Sequence, residues 1–144
     1  MKKIHTVLAL VSLASFSVMA ESFSIVCHAP DTQTLNRFEG KGLVEADKKE
    51  DGSFDVKSTN FKFTITPAGF TAESKEIEAT GMLSKLRYVE SEFTAKPFYQ
   101  LTMIKKSESS EIASINILTD YPGALDSSIR LQNGMTFKAS CDMQ

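Results

Sequence analysis

The sequence predicts an all-β fold, a single antiparallel β-barrel or β-sandwich of about 7–9 short strands with its termini joined by a disulfide. Three observations carry this. Apolar and polar residues alternate with a period of two through most of the chain. Turn-forming pairs punctuate the alternation, and one cysteine stands near each end of a chain that opens like an export signal. With 144 residues, 42% hydrophobic and 24% charged, the composition is that of one folded domain. A formal charge of −2 makes nucleic acid a poor partner.

The first twenty residues read as an address. Lys2 and Lys3 precede an uncharged apolar run from Val7 to Ala20, with Val18 and Ala20 at the −3 and −1 positions of a signal-peptidase site. The run is shorter than a bilayer span requires. Residues 1–20 are therefore expected to be a cleaved secretory signal peptide, and residues 21–144 a single β-domain. No cysteine follows the cut, which argues against a lipoprotein. Without Lys2 and Lys3, fourteen basic residues face eighteen acidic ones, a net of −4 that suits a soluble protein. No second apolar run of spanning length follows, so no transmembrane segment is expected in the mature chain. The strands carry Lys, Asp and Thr on one face, which does not suit an outer-membrane barrel. The expected location is the periplasm or exterior of a Gram-negative envelope.

The elements follow in order. Phe23, Ile25 and Cys27 share one face of a first strand. A second strand runs near Arg37–Glu45, and Asp51-Gly52 closes the polar turn after it. Phe54 and Val56 alternate with Asp55 and Lys57, and Phe61, Phe63 and Ile65 with Lys62, Thr64 and Thr66. Pro67 fixes a turn over Thr66–Gly69. From Glu73 to Tyr88, Ala79, Met82, Leu83 and Leu86 fall at helical spacing, but Gly81 costs a helix about 1 kcal/mol. Strands that pair Ile77 with Ala79 and Leu86 with Tyr88 agree better with their β neighbours. Pro97 restarts the chain into Phe98–Ile104, whose apolar residues on both faces suggest a strand covered on both sides. Ala113, Ile115 and Ile117 mark the next strand, and Tyr121-Pro122-Gly123-Ala124 a type II turn. Asn133-Gly134 predicts a two-residue type I′ hairpin between Ile129–Gln132 and Met135–Cys141.

In an oxidising compartment an even pair of cysteines reads as a disulfide. Alternation places Cys27 with Phe23 and Ile25, and Cys141 with Met135, Phe137 and Ala139, so both sulfurs point to the apolar side. Closing nearly the whole mature chain, the bond is worth roughly 4–5 kcal/mol in the chain-entropy model. Both cysteines lie toward the C-terminal ends of their strands. A simple up-and-down sheet with an even strand count would hold those ends apart. The bond therefore needs a register slip, an odd count or a Greek-key crossing.

Catalytic material is scarce. His28 is the single histidine of the mature chain, one residue past a bonded cysteine on the opposite face of its strand, where an outward-facing histidine is the simpler reading. No Gly-x-Ser-x-Gly, phosphate loop or His-Glu-x-x-His motif occurs. One histidine without a free thiol leaves a zinc site short of ligands. Asp47, Glu50, Asp51 and Asp55 cluster at one turn, but their spacing does not match a calcium loop, and Lys48 and Lys49 stand among them. They read as a solvated hairpin tip. Tyr88, Tyr99 and Tyr121 are boundary residues that could line a mouth. No catalytic, metal-ligating or cofactor-binding residue is expected.

The expected function is therefore non-catalytic, an envelope binding or interaction module whose partner is an envelope protein. A carrier of a small apolar ligand is the alternative, since an eight-stranded barrel can hold one. A third possibility is a hydrolase inhibitor acting through one protruding loop, with the Asp47–Gly52 turn or the Thr119–Asp126 loop as candidates. In outline the chain resembles the small periplasmic lysozyme inhibitors, exported compact β-barrels with a cysteine near each end. Their Ser-Gly-x-x-Tyr-type loop is absent, so no residue role carries over.

Overall fold

The protein is seen in a computed structural model that describes residues 18–90, 92, 96–120 and 126–144. Most of the expected signal peptide lies outside the described residues. Among the described residues nine strands are formed: β1 (Met19–His28), β2 (Arg37–Lys48), β3 (Phe54–Thr66), β4 (Lys75–Thr80), β5 (Leu83–Val89), β6 (Phe98–Ile104), β7 (Ile112–Leu118), β8 (Ser127–Leu131) and β9 (Thr136–Met143). The expected cleavage after Ala20 would trim only the first two residues of β1.

All nine strands belong to one sheet, ordered β4-β3-β2-β1-β9-β8-β7-β6-β5, with every neighbouring pair antiparallel. The sheet curls into a half-barrel around its apolar side, so the sandwich alternative does not apply. Eight antiparallel steps separate β4 from β5, so these two strands run in the same direction. They are one stretch of chain bent at Gly81, where φ is +64°, a conformation glycine adopts without strain. The first half of that stretch bonds to β3 and the second half to β6. This is why helical spacing in 73–88 failed: Gly81 sits at the bend, and Ile77, Ala79 and Leu86 each reach the core by strand alternation.

The terminal strands meet by a register slip. Only Ile25–His28 of β1 pair with Ser140–Met143 of β9, placing Cys27 directly opposite Cys141. The Gln144 N–H donates to the Ser24 carbonyl at 2.8 Å, so by alternation the cysteines occupy a non-hydrogen-bonded pair, the close kind. Their Cα atoms are 4.0 Å apart and the disulfide is formed. Beyond His28, β1 no longer separates its neighbours, and Arg37 of β2 bridges directly to Lys138 of β9.

Phe38, Phe61, Phe63 and Phe137, with Ile25, Leu101, Met103, Ile115, Ile117 and Ile129, fill the inside of the curl and are fully buried. The change of apolar parity between Phe54/Val56 and Phe61/Phe63/Ile65 marks a β-bulge. Glu45 pairs with Ser58 but Ala46 with Val56, leaving Lys57 as the extra residue of a single long strand.

Two expectations are corrected. The Asn133-Gly134 turn is a three-residue loop. Arg130 pairs with Thr136, the Leu131 N–H donates to the Met135 carbonyl, and only Gly134 takes positive φ, at +90°. Asn133 instead uses its Oδ1 to accept from the Met135 N–H at 3.0 Å, the side-chain role that leaves its own backbone right-handed. Second, β6 is not covered on both faces. Leu101 and Met103 face the core, while Gln100, Thr102 and the half-exposed Ile104 lie on the outer face between β5 and β7.

Candidate functional site

Two connections at one end of the sheet, residues 29–36 between β1 and β2 and residues 67–74 between β3 and β4, are bonded into one unit. The register dictates this, because Arg37 and Thr66 are paired and bring both connections to the same edge. The Asn36 side-chain oxygen accepts from the Ala68 N–H, and the Gln33 carbonyl from the Gly69 N–H, both at 2.8 Å. Asn36 also anchors the unit to the sheet, its carbonyl accepting from the Lys138 N–H at 3.0 Å. Hydroxyls of Thr66 and Ser74 close the base of the second loop at 2.8 Å. Gly69 has φ +122°, which turns the chain outward and delivers Phe70 to solvent.

Phe70 is 92% exposed and Leu35, on the partner loop, 40%. A phenylalanine left in water forgoes roughly 1.5–3 kcal/mol that burial would supply. Here it stands on a loop held by backbone bonds, so the exposure belongs to a fixed geometry. Phe70 falls in none of the strands expected from sequence and was given no role there. The available signal was that Phe70 follows a Pro-x-Gly turn and lacks an alternating apolar partner.

The positions singled out from sequence fall elsewhere. Asp51 accepts from the backbone and hydroxyl of Ser53, bonds that hold its carboxyl below the usual range. Lys57 reaches Asp55 at 2.7 Å and Asp47 at 3.5 Å. Two acids of the Asp47–Gly52 turn are therefore engaged locally, Asp47 by Lys57 and Asp51 by Ser53. Among the described residues no group of three or more His, Cys, Asp or Glu is arranged to hold a metal. Tyr88 and Tyr99 do meet, with ring centroids 5.0 Å apart, and Tyr99 packs on Phe23 and Phe54 at the other end of the curl. Burial pushes the Tyr99 phenol up, with Glu21 and Tyr88 adding to it. Tyr121 and the Tyr121-Pro122-Gly123-Ala124 turn lie outside the described residues, as does most of the Thr119–Asp126 loop.

His28 lies at the surface with Nε2 3.5 Å from Asp142 Oδ2. Asp142 in turn neighbours Asp120, a residue with φ +52° whose N–H donates to the Cys141 carbonyl at 2.9 Å. Burial first, and the Asp142 carboxyl second, raise the Asp120 carboxyl above its ordinary range. A raised folded-state value stabilises below the unfolded value, and that stability is lost as pH rises through the folded value. Asp120→Asn, which tolerates the same backbone, is therefore expected to raise the melting temperature at neutral pH. The gain should shrink toward zero once the pH falls below about 4. Thermal melts of both proteins across this range check it, and a gain that persists at acid pH would contradict it.

Comparison with known protein families, characterised proteins and solved structures finds no match.

Proposed function

We propose that the chain is an exported, non-catalytic binding module of the bacterial envelope, engaging a partner protein through the paired loops 29–36 and 67–74. The observation that carries this reading is Phe70, 92% exposed on a loop pinned by Gln33 and Asn36. A large aromatic held out on a pre-ordered loop is the form that interface anchors take, because little conformational freedom remains to be lost on binding. Leu35, 40% exposed on the loop bonded to that of Phe70, supplies a second apolar contact for the partner. A protruding loop is also what a hydrolase inhibitor needs, and this one suits that role better than the Asp47–Gly52 turn. The carrier reading has less support, since phenylalanine, isoleucine and leucine side chains fill the inner side of the curl.

The test is saturable co-sedimentation of the oxidised protein with its host's envelope fraction. Phe70→Ser is expected to weaken binding by about 2 kcal/mol or more, the range of an interface anchor. The melting temperature should not change. Equal binding by both proteins would remove the reading. So would a native-state rise in fluorescence with a hydrophobic dye that Phe70→Ser leaves intact, which would favour the carrier.

A further inference from the structure

A second surface goes beyond that reading and stands on different residues. Strands β5, β6, β7 and β8 contain no aspartate or glutamate, in a chain with eighteen. Their outward side chains form a row across the sheet, set by register. Lys85 pairs with Thr102, Thr102 with Asn116, Asn116 with Ser128, and Ser128 with Lys138 of β9. Lys138 then meets Arg37 across the parallel bridge. At about 4.8 Å per strand, Lys85 and Lys138 stand roughly 19 Å apart along the curved sheet. Both ends of the row are cationic and its middle is hydroxyl and amide.

The charges at the two ends are uncommitted. Lys57, Lys62, Lys75 and Lys105 each lie within ion-pair distance of a carboxylate. Among the described residues no carboxylate lies so close to Lys85, Lys138 or Arg37. Among the described residues Arg37 Nη1 has no hydrogen-bond acceptor; that nitrogen is buried, and the half-buried side chain presents its remaining surface beside the Lys138 position. The middle of the row is pre-arranged: Gln100, between Arg87 and Asn116, accepts from Arg87 at 2.6 Å and donates to the Asn116 Oδ1 at 3.0 Å. At the Lys85 end a cleft of about 480 Å³ opens between β5 and β6. Acids border the face at the strand ends: Glu90 just past β5, Glu111 just ahead of β7, Asp120 just past it, Asp126 just ahead of β8 and Asp142 near the end of β9.

We infer that this face binds an anionic polysaccharide laid across strands β5 to β9, its charged substituents at Lys85 and at the Lys138–Arg37 pair and its hydroxyls on Thr102, Asn116 and Ser128. The direction of the row excludes a ladder partner. Backbone groups in the interior of a sheet are already paired, so a ligand crossing the strands can use side chains alone. Thr, Asn and Ser both donate and accept, which matches sugar hydroxyls. The carboxylate side chains of an acidic polypeptide only accept, so its donors are confined to the backbone, whereas every sugar hydroxyl offers both roles. No aromatic side chain stands in the row for a nucleic-acid base to stack on.

The probe is dextran sulfate, with neutral dextran and polyglutamate of similar length as comparisons, in titrations monitored by intrinsic tyrosine fluorescence and calorimetry. Dextran sulfate should bind in a salt-dependent manner, and neutral dextran and polyglutamate much more weakly. The double substitution Lys85→Gln/Lys138→Gln should weaken dextran sulfate binding by about tenfold on the counterion-release scale. Asn116→Ala/Ser128→Ala should weaken it as well, by severalfold. Lys62→Gln, on the other half of the sheet, should leave it unchanged, and so should Phe70→Ser, which separates this inference from the partner-protein reading. All four sets are surface changes, and unchanged melting temperatures certify the fold. Absence of dextran sulfate binding overturns the inference. So does equal binding of neutral dextran, or tight polyglutamate binding indifferent to Asn116 and Ser128, which would assign the face to an acidic polypeptide.

Discussion

A Gly40→Ala variant is expected to lose about 3–5 kcal/mol of stability, from overpacking and backbone strain acting together. Gly40 and Gly42 lie on the inward side of β2, between Phe38 and Val44, directly opposite Phe63 and Phe61 of β3. Those two rings stack on each other with centroids 5.3 Å apart and cover the bare backbone of β2. This is the arrangement in which aromatics of a neighbouring strand shield glycines at a bend. A methyl group at Gly40 would fall within 3.0 Å of the Phe63 Cα and closer still to the Lys62 carbonyl oxygen. Both are backbone atoms of a paired strand and cannot swing aside. The residue also has φ +150°, which side chains other than glycine's rarely adopt. Gly42→Ala should be nearly as damaging, since its methyl would meet the Phe61 ring and lie 2.6 Å from the Asn60 carbonyl oxygen. Gly52→Ala is the internal control. Gly52 has φ +83° but open space around it, so backbone strain alone should cost about 1–2 kcal/mol. Denaturant titrations of the three variants check the ordering. Equal losses at Gly40 and Gly52 would mean that ring packing over β2 contributes nothing.

Removing the disulfide with Cys27→Ala/Cys141→Ala should cost roughly 4–5 kcal/mol. That is comparable with the net stability of many domains of this size. The two cysteines are 114 residues apart in sequence, so the bond constrains almost the entire unfolded chain. It also secures one of the shortest seams of the native sheet, equal in paired positions to those of β8 with β7 and with β9. β1 and β9 share four paired positions, whereas β2 and β3 share twelve. The melting temperature of the double variant should fall by roughly 15–25 °C. Reductant should lower that of the parent protein by a similar amount and leave the variant untouched. Cys27 and Cys141 are bonded to each other and no cysteine is free, so thiol labelling of the denatured, unreduced protein should be negligible. A fall of only a few degrees would show that the β1–β9 ladder holds without the bond.

Period-two alternation made the strands legible because each strand buries one face, so Phe23/Ile25/Cys27 and Phe137/Ala139/Cys141 declare their inward sides in the sequence itself. The same patterns placed both sulfurs inside. The parity change between Val56 and Phe61 was legible too, and its meaning, a bulge at Lys57, required the partner strand. The stagger of β1 on β9 was not readable, since alternation fixes a face and leaves translation along the strand free. The β4–β5 bend was half readable: Gly81 argued against a helix, but its role as a corner depends on both ends of the sheet. Phe98–Ile104 misled because apolar content was taken for burial, although Ile104 spends its side chain on the outer surface.

The candidate surfaces were the least legible. Phe70 has the same composition signal as a core phenylalanine, and only the bonds from Gln33 and Asn36 to its loop reveal that it is held outward. The row from Lys85 to Lys138 draws on five strands, and no local window of sequence shows that these residues are neighbours. Charge segregation, with no acid in four consecutive strands, was present in the sequence and becomes meaningful once those strands are adjacent.

The central claim is that recognition occurs on the outside of a packed half-barrel, and amide mapping by nuclear magnetic resonance tests it most directly. Isotope-labelled protein would be titrated with solubilised material from its host's envelope fraction. The account predicts perturbations confined to the amides of residues 29–36 and 67–74, with those along the Lys85–Lys138 row responding when anionic glycan is present. Perturbations centred on the inward-facing positions Phe61, Leu101, Ile115 and Phe137, with the two loops silent, would contradict it and place the ligand inside the curl.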